Sequence, residues 1–180
     1  MHSSKDINYR IAGIDDVAAI AALHALSWQQ NYKDALQAEY LAEKAVEERL
    51  SLWQQRFAKP VKDQVVFIAE QSGELLGFAA LFYRGSERWG AYLDNLHVKS
   101  GLQGRGIGKA LLKRLAAYLL QHCPEQQLCL LVNQNNLKAQ AFYRKLGAVN
   151  AEGSCWNAPD GSVVPTYWFV WQKPASILEC

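Results

Sequence analysis

The sequence lacks the features of a membrane-spanning or secreted protein. No apolar run among the 180 residues approaches the roughly 20 residues that cross a bilayer, and the first residues form no apolar signal segment. The four cysteines form no C-x-x-C pair and no metal-ligand spacing. We therefore expect a cytoplasmic protein with reduced cysteines, no metal site and no membrane partner.

Strong charge and low-complexity sequence are also lacking. The net charge is only +2, and no array of basic and aromatic residues indicates a nucleic-acid partner. No repeat or linker divides the chain, and half of its residues are hydrophobic. These features predict one folded domain over residues 1–180, and they are compatible with a homodimer.

What the sequence does contain is a glycine-rich stretch between an apolar strand and a helix. The strand is predicted to end at Val98, and Gly101, Gly104, Gly106 and Gly108 follow it. Glycines let the backbone approach a ligand, and the start of a helix points unpaired N–H groups and a positive dipole end at the same place. The junction therefore predicts a phosphate site.

The spacing of the glycines narrows the type of phosphate ligand. A Walker loop fails because Ile107 stands where its lysine belongs, and the G-x-G-x-x-G fingerprint of dinucleotide sites is not formed. The pattern that fits is Q-x-x-G-x-G, formed by Gln103, Gly106 and Gly108.

A second motif lies downstream. Residues 128–132 are typical of a buried strand, and Asn135 or Asn136 can cap the helix that follows. The string N-x-x-A-x-x-F-Y-x-x-x-G runs from Asn136 to Gly147, where a left-handed glycine would end that helix. Together with Leu-His-Val at 96–98, the two motifs resemble the GNAT acyltransferase superfamily.

The order of the predicted elements agrees with this resemblance. The strand ending at Val98 and the strand at 128–132 are joined through a helix and should be parallel. The resemblance implies a mixed α/β fold: a mostly antiparallel sheet of six to seven strands, with a parallel, splayed central pair and about four flanking helices. The other predicted elements are strands at 7–12, 65–70, 75–83, 148–156 and 163–171 and helices with apolar faces from Val17 to Tyr32 and from Val46 to Phe57.

By the same resemblance, acetyl-CoA is the acetyl donor, and the backbone of Leu96, His97 and Val98 holds its acetyl and pantetheine amides. The residues expected to hold the pyrophosphate are Gln103, Gly104, Arg105, Gly106, Ile107, Gly108 and Lys109. Charge supports this placement, because residues 95–151 hold eight basic residues and one acidic residue.

The second motif implies roles for three residues. Asn136 and Ala139 are expected to contact the cofactor, and Tyr143 is expected to protonate the departing CoA thiolate. A tyrosine with a pKa of about 10 suits proton transfer to a thiolate whose acid has a pKa of about 8.5.

The implied reaction is direct acetyl transfer to the primary amine of a small molecule. An alkylammonium of pKa about 10.4 is neutral in only about one molecule in 10^3.4 at pH 7, a cost of roughly 4.6 kcal/mol. Because the amine must lose a proton, a general base is expected, and the candidates are Asp94, Glu70 or a water chain from either. Trp28 and Tyr32 can offer a π face to a cationic acceptor, whereas His24 on the same helix face is more typical of a core histidine.

Ser27, Trp28 and Tyr32 also match a Ser-Trp-x-x-x-Tyr pattern that resembles a bacterial branch of the superfamily, some of whose members acetylate small amines. Other readings stay open. The acceptor can be a protein N-terminus or lysine, the donor can carry a longer acyl group, or the chain can be a CoA-binding regulatory module without turnover.

In the second helix, Glu47, Glu48 and Arg49 are predicted to face solvent.

Overall fold

The computed structural model describes residues 6–59 and 62–180. The strands are β1 (Asn8–Ile11), β2 (Gln64–Gln71), β3 (Glu74–Ser86), β4 (Gly90–Val98), β5 (Leu128–Asn133), β6 (Val149–Asn157) and β7 (Val163–Trp171). The helices are α1 (Val17–Asn31), α2 (Ala45–Ala58), α3 (Ile107–His122), α4 (Leu137–Lys145) and α5 (Ser176–Glu179). A 3₁₀ turn (Ile14–Asp16) precedes α1, and a π-helical segment (Tyr40–Lys44) precedes α2. The longer elements confirm those predicted, whereas the π-helical segment and α5 were not predicted.

The strands form a seven-stranded sheet in the order β1-β2-β3-β4-β5-β7-β6. Strands β4 and β5 are parallel and pair at Ala91–Leu128 and Tyr92–Cys129, near the start of both strands. The pairs β1–β2, β5–β7 and β6–β7 are antiparallel, the last with an irregularity between Asn150 and Glu152. Because the turns from β2 to β3 and from β3 to β4 are short, those neighbours are antiparallel too. The predicted mixed sheet with a parallel central pair is confirmed.

Two compact units make up the structure. The first comprises residues up to Ala80 together with Asn95–Leu112, and the second comprises Leu81–Asp94 and Lys113–Cys180. Strands β3 and β4 and helix α3 contribute residues to both units, so we retain a single domain over the chain as a proposal. Within the described ranges, no helix is both long enough and apolar enough to cross a bilayer.

The core of the first unit is built by α1, α2, β2 and β3. Helix α1 is apolar on both sides, and Leu26 is 42% exposed, but its larger apolar side chains Val17, Ile20 and Leu23 are buried. The buried core residues are Val17, Ile20, Ala21, Leu23, Trp53, Val66, Ile68, Phe78 and Ala80.

Helix α2 agrees with the prediction in part. Trp53 is buried, and Leu50 and Phe57 pack against the core, as predicted. Val46 is 54% exposed, whereas Arg49 is only 7% exposed, so the prediction that Val46 faces the core and Arg49 faces solvent is wrong. The buried positions are Ala45, Arg49 and Trp53, each about one turn from the next. We attribute the burial of Arg49 to its contact with α1, where the guanidinium lies over the Trp28 ring.

In the second unit, α4 has the two ends that its sequence predicts. The Asn136 side chain accepts a hydrogen bond from the Ala139 amide (3.1 Å) and so caps the helix. Gly147 has φ +90° and follows the last turn. The Trp171 indole donates to the Leu146 carbonyl (2.8 Å), which ties this end of α4 to β7.

Candidate active site

The glycine-rich stretch forms an exposed loop between β4 and α3. The Lys99 amide donates to the Leu76 carbonyl (2.8 Å), which holds the chain against β3 just beyond the end of β4. The Leu102 amide then donates to the Lys99 carbonyl (3.1 Å) and closes a turn. The chain is exposed over residues 103–106, and α3 begins at Ile107, whose side chain is buried.

Two glycines in this loop take a backbone conformation that other residues rarely adopt. The φ angle is +80° at Gly104 and +82° at Gly106, in the left-handed region that favours glycine. A Cβ added at either position would meet no atom within 4 Å, so the backbone there is open to a ligand. The first amides of α3 have no carbonyl partner within the helix. An open backbone beside a helix N-terminus suits a phosphate group.

Strand β4 presents two polar side chains towards α1. Its buried positions alternate at Ala91, Leu93 and Asn95, and His97 continues this face because strand side chains point to opposite faces in turn. Nδ1 of His97 lies 2.8 Å from Oγ of Ser27, and Nε2 lies 3.3 Å from Oδ1 of Asn95. An amide oxygen only accepts, so we assign the ring proton to Nε2 and make the Ser27 hydroxyl the donor to Nδ1.

His24 is buried, as expected of a core histidine, and packs against the half-buried His97. The Trp53 indole donates to Nδ1 of His24 (3.0 Å), which leaves the proton of the neutral ring on Nε2. The two imidazole rings lie 4.8 Å apart. Burial, and then the charges of His97 and Arg49, hold the pKa of His24 well below 6.5. Burial also lowers the pKa of His97 to about 4, so both rings are neutral at physiological pH.

The aromatic pair on α1 already has a cation of this chain beside it. The Arg49 guanidinium lies over the Trp28 ring, 4.3 Å from its centroid, and forms an ion pair with Glu48 (2.7 Å). Tyr32 stacks against Trp28 with the ring centroids 5.6 Å apart. Arg49 therefore uses π surface of Trp28 that we expected to serve a cationic acceptor.

The two carboxylates predicted as bases lie in different surroundings. Both oxygens of Glu70 accept from Arg10 (3.1 and 2.9 Å), and one also accepts from Asn8 (2.9 Å). These hydrogen bonds, above all those from Arg10, lower the pKa of Glu70, which makes it a weaker base. Asp94 is half-buried, and the alternation of β4 places it on the opposite face from Asn95.

The second unit carries the remaining predicted residues on α4. The side-chain oxygen of Asn136 is used by its bond to the Ala139 amide, so part of its role is structural. Tyr143 is half-buried, and its ring packs edge-to-face on Trp171 and Phe169, with centroids 5.9 and 6.5 Å away. These contacts fix the ring and therefore the direction of its hydroxyl.

Sequence reasoning missed Ser27 as a polar partner and the side chains of Asn95 and His97. The sequence did contain a signal for the two strand residues. Asn95 and His97 are polar, yet they follow Ala91 and Leu93 at the two-residue spacing of one strand face, so they continue an apolar face. Ser27 lies 70 residues from His97 along the chain. Spacing in the sequence does not reveal that contact.

Comparison with known proteins agrees with this geometry. The model of the acetyltransferase (GNAT) family matches residues 20–148. The uncharacterized N-acetyltransferase YuaI of Bacillus subtilis is 30% identical over 132 residues, which cover 72% of this chain and 73% of that protein.

Two solved structures share the fold. The PaiA N-acetyltransferase of Thermoplasma acidophilum, in complex with coenzyme A, has a TM-score of 0.68 at 20% identity and covers 89% of this chain and 98% of its own. The protein yncA of Salmonella typhimurium, with its cofactor acetyl-CoA, has a TM-score of 0.66 at 19% identity and covers 93% of this chain and 94% of its own. The family match is the stronger finding, since it spans most of the sequence. The chain belongs to the acetyltransferase (GNAT) family.

Proposed function

We propose that this acetyltransferase transfers the acetyl group of acetyl-CoA directly to the primary amine of a small molecule. Membership of the GNAT family makes it an enzyme with acetyl-CoA as acetyl donor. The observation that carries the siting of the donor is the exposed loop at the start of α3, where Gly104 and Gly106 have positive φ and open surroundings. Small-amine acceptors are supported by the Ser-Trp-x-x-x-Tyr pattern on α1.

In this proposal, residues 103–109 bind the pyrophosphate through backbone amides, and the backbone at 96–98 binds the acetyl and pantetheine amides. Asn136 and Ala139 contact the cofactor, and Tyr143 gives a proton to the departing thiolate. Backbone amides at a helix start bind phosphate whatever the side chains are. The glycines are therefore the residues on which the donor site depends most.

The acceptor amine must be neutral when it attacks the thioester. For an alkylamine this costs roughly 4.6 kcal/mol at pH 7, so a proton acceptor near the amine increases the rate. Of the two predicted carboxylates, Asp94 is the stronger candidate for this role, directly or through water, although it lies on the face of β4 opposite to Asn95. Glu70 is the weaker candidate because both of its oxygens are bound by Arg10. Trp28 and Tyr32 are proposed to line the acceptor side.

Thiol release from acetyl-CoA tests the proposal. The assay has three arms: primary amines of small molecules, peptides with a free N-terminus or a lysine, and no acceptor. We expect turnover mainly with a small primary amine. Turnover with peptides alone would assign the enzyme to protein acetylation, and acetyl-CoA binding without turnover in any arm would favour a regulatory module.

We also propose that the protein acts in the cytoplasm without a membrane or nucleic-acid partner. The four cysteines are free, and Cys155 and Cys180 are exposed. Free exposed thiols are typical of a reducing compartment. The small net charge of +2 offers little attraction to nucleic acid.

A further inference from the structure

The proposed function assigns no chemical role to the side chains of the polar cluster between α1 and β4. This cluster consists of Ser27, His97 and Asn95, joined by hydrogen bonds of 2.8 and 3.3 Å. Ser27 is 9% exposed and Asn95 is 7% exposed, whereas His97 is half-buried. A core does not need three linked polar side chains, because burying each of them costs free energy that its hydrogen bonds only offset.

We propose that Ser27, His97 and Asn95 form a proton relay in which the Ser27 hydroxyl contacts the acceptor amine and passes its own proton to His97. This inference rests on the proposed function, because it supplies a proton path for the same acetyl transfer. In this relay Ser27 is the catalytic residue, and His97 and Asn95 act through it.

The step balances as follows. The amine nitrogen bonds to the thioester carbon, and the C–S bond breaks with its electron pair on sulfur. One proton leaves the amine for Oγ of Ser27 while the hydroxyl proton moves to Nδ1 of His97. The imidazolium later returns this proton to solvent, and the thiolate is protonated by Tyr143, which regains a proton from solvent. The products are an N-acetyl amide and the CoA thiol.

The hydrogen bonds give each group the orientation that the relay requires. Nδ1 of His97 accepts from the Ser27 hydroxyl, so its lone pair points at the proton to be taken. Oδ1 of Asn95 accepts from the Nε2–H group, which holds the tautomer and stays bonded when the ring becomes positive. The Asn31 amide donates to the Ser27 carbonyl (2.9 Å) and more weakly to its Oγ (3.4 Å), which positions the serine.

The surroundings keep the His97 ring neutral, so that the lone pair of Nδ1 is available, although the same burial makes the ring a weaker base than free imidazole. The groups that face it are His24 and Ser27 from α1, Phe78 from β3 and Asn95 from its own strand. None of these four is a carboxylate that would hold the ring in its charged form. Burial lowers the pKa of His97 to about 4, so the ring is neutral above that pH. The imidazolium formed in the relay is correspondingly short-lived.

Variants of Ser27 and His97 test the relay, with Ser51 as the matched control. Ser51 is an exposed serine within α2 whose hydroxyl accepts from Gln55 (3.2 Å), four residues later, as Ser27 Oγ accepts from Asn31. We expect Ser27→Ala and His97→Gln to lower kcat for the best amine by about 10²- to 10⁴-fold. KM for acetyl-CoA should barely change. Tm should fall by about 2–10 °C, because each change leaves a buried partner without its hydrogen bond, and Ser51→Ala should match the wild-type protein.

A rescue experiment separates proton transfer from packing. Free imidazole should restore part of the turnover of His97→Ala, because a small base can take the proton from Ser27, and it should restore nothing to the double variant Ser27→Ala/His97→Ala. A folded His97→Ala variant that imidazole leaves inactive would assign His97 a packing role and overturn the relay.

The outcomes also separate the relay from the proposed function. Wild-type kcat in Ser27→Ala, with chemistry limiting the rate, overturns the relay while amine acetylation by the wild-type protein stands. A fall in kcat in Asp94→Asn but not in Ser27→Ala would show that the Asp94 carboxylate accepts the amine proton. That outcome likewise overturns the relay. If the wild-type protein acetylates no amine, the proposed function fails and the relay fails with it, since no amine proton is then transferred.

Discussion

At the scale of single residues, Tyr143 is the group to which the proposed chemistry assigns an acid role. Its ring packs on Phe169 and Trp171, and Tyr143→Phe preserves those contacts while removing only the hydroxyl. We therefore expect Tm and acetyl-CoA affinity to stay close to wild type. The turnover number should fall by about 10- to 10⁴-fold, the usual contribution of general-acid catalysis or somewhat less where water replaces the acid.

Tyr118→Phe is the control for this change. Tyr118 is a half-buried tyrosine on α3 whose ring stacks on His122 (4.0 Å) and Tyr83 (5.8 Å), and it has no place in the proposed site. Near-wild-type turnover in Tyr143→Phe, under conditions where chemistry limits the rate, would reduce Tyr143 to a packing residue.

Single residues also show where sequence reasoning succeeds. The cap at Asn136 and the left-handed Gly147 were predictable because each depends on a few neighbouring residues. The contact between Ser27 and His97 depends on how α1 lies on the sheet. Local sequence carries no information about that packing.

At the scale of elements, the loop before α3 carries the clearest prediction. Gly106→Val places a β-branched side chain where the pyrophosphate is proposed to approach the backbone. Charge-assisted hydrogen bonds are worth about 1.5–3 kcal/mol each, so losing two should weaken acetyl-CoA binding about 100-fold or more. The measurement is calorimetric titration of acetyl-CoA into the folded variant.

Gly161→Val is the control for the backbone strain that a valine causes at a position with positive φ. Gly161 lies in the turn between β6 and β7 with φ +85°, close to the +82° of Gly106, and a Cβ there would likewise meet no atom within 4 Å. Both variants should lose about 1–2 kcal/mol of stability from the left-handed backbone, but only Gly106→Val should lose affinity. Equal affinity in the two variants would place the pyrophosphate elsewhere.

Elements also show where sequence reasoning fails. The strands and the longer helices were predictable because their apolar residues follow regular periods. The buried face of α2 was predictable only in part: Leu50, Trp53 and Phe57 face the core, but Arg49 is buried by its contact with Trp28 of α1, which the sequence of α2 does not show. The prediction therefore missed the cation beside Trp28.

At the scale of the whole molecule, the two interior histidines make stability depend on pH. The unfolded chain protonates His24 and His97 near pH 6.5, whereas the folded chain keeps His24 neutral well below that value and His97 neutral down to about 4. Below pH 6.5 the unfolded state therefore binds more protons, and stability falls as pH falls. Each histidine contributes up to about 1.4 kcal/mol per pH unit.

The measurement is urea unfolding from about pH 7.5 to about pH 5. This range lies above the pKa of Asp16 and Glu70, which Arg10 lowers, so those carboxylates stay ionised in the folded protein. His97→Gln should remove up to half of the dependence, because only His24 then contributes to it. A wild-type stability that does not vary over this range would contradict the account of a neutral interior pair.

The central claim is direct transfer of the acetyl group from acetyl-CoA to an amine while both are bound. Initial rates with acetyl-CoA and the best amine both varied test it most directly. Direct transfer predicts double-reciprocal lines that intersect, because both substrates must bind before either product leaves. Parallel lines would show an acetylated enzyme intermediate, with the acetyl group on a nucleophile such as Ser27, and would contradict the claim.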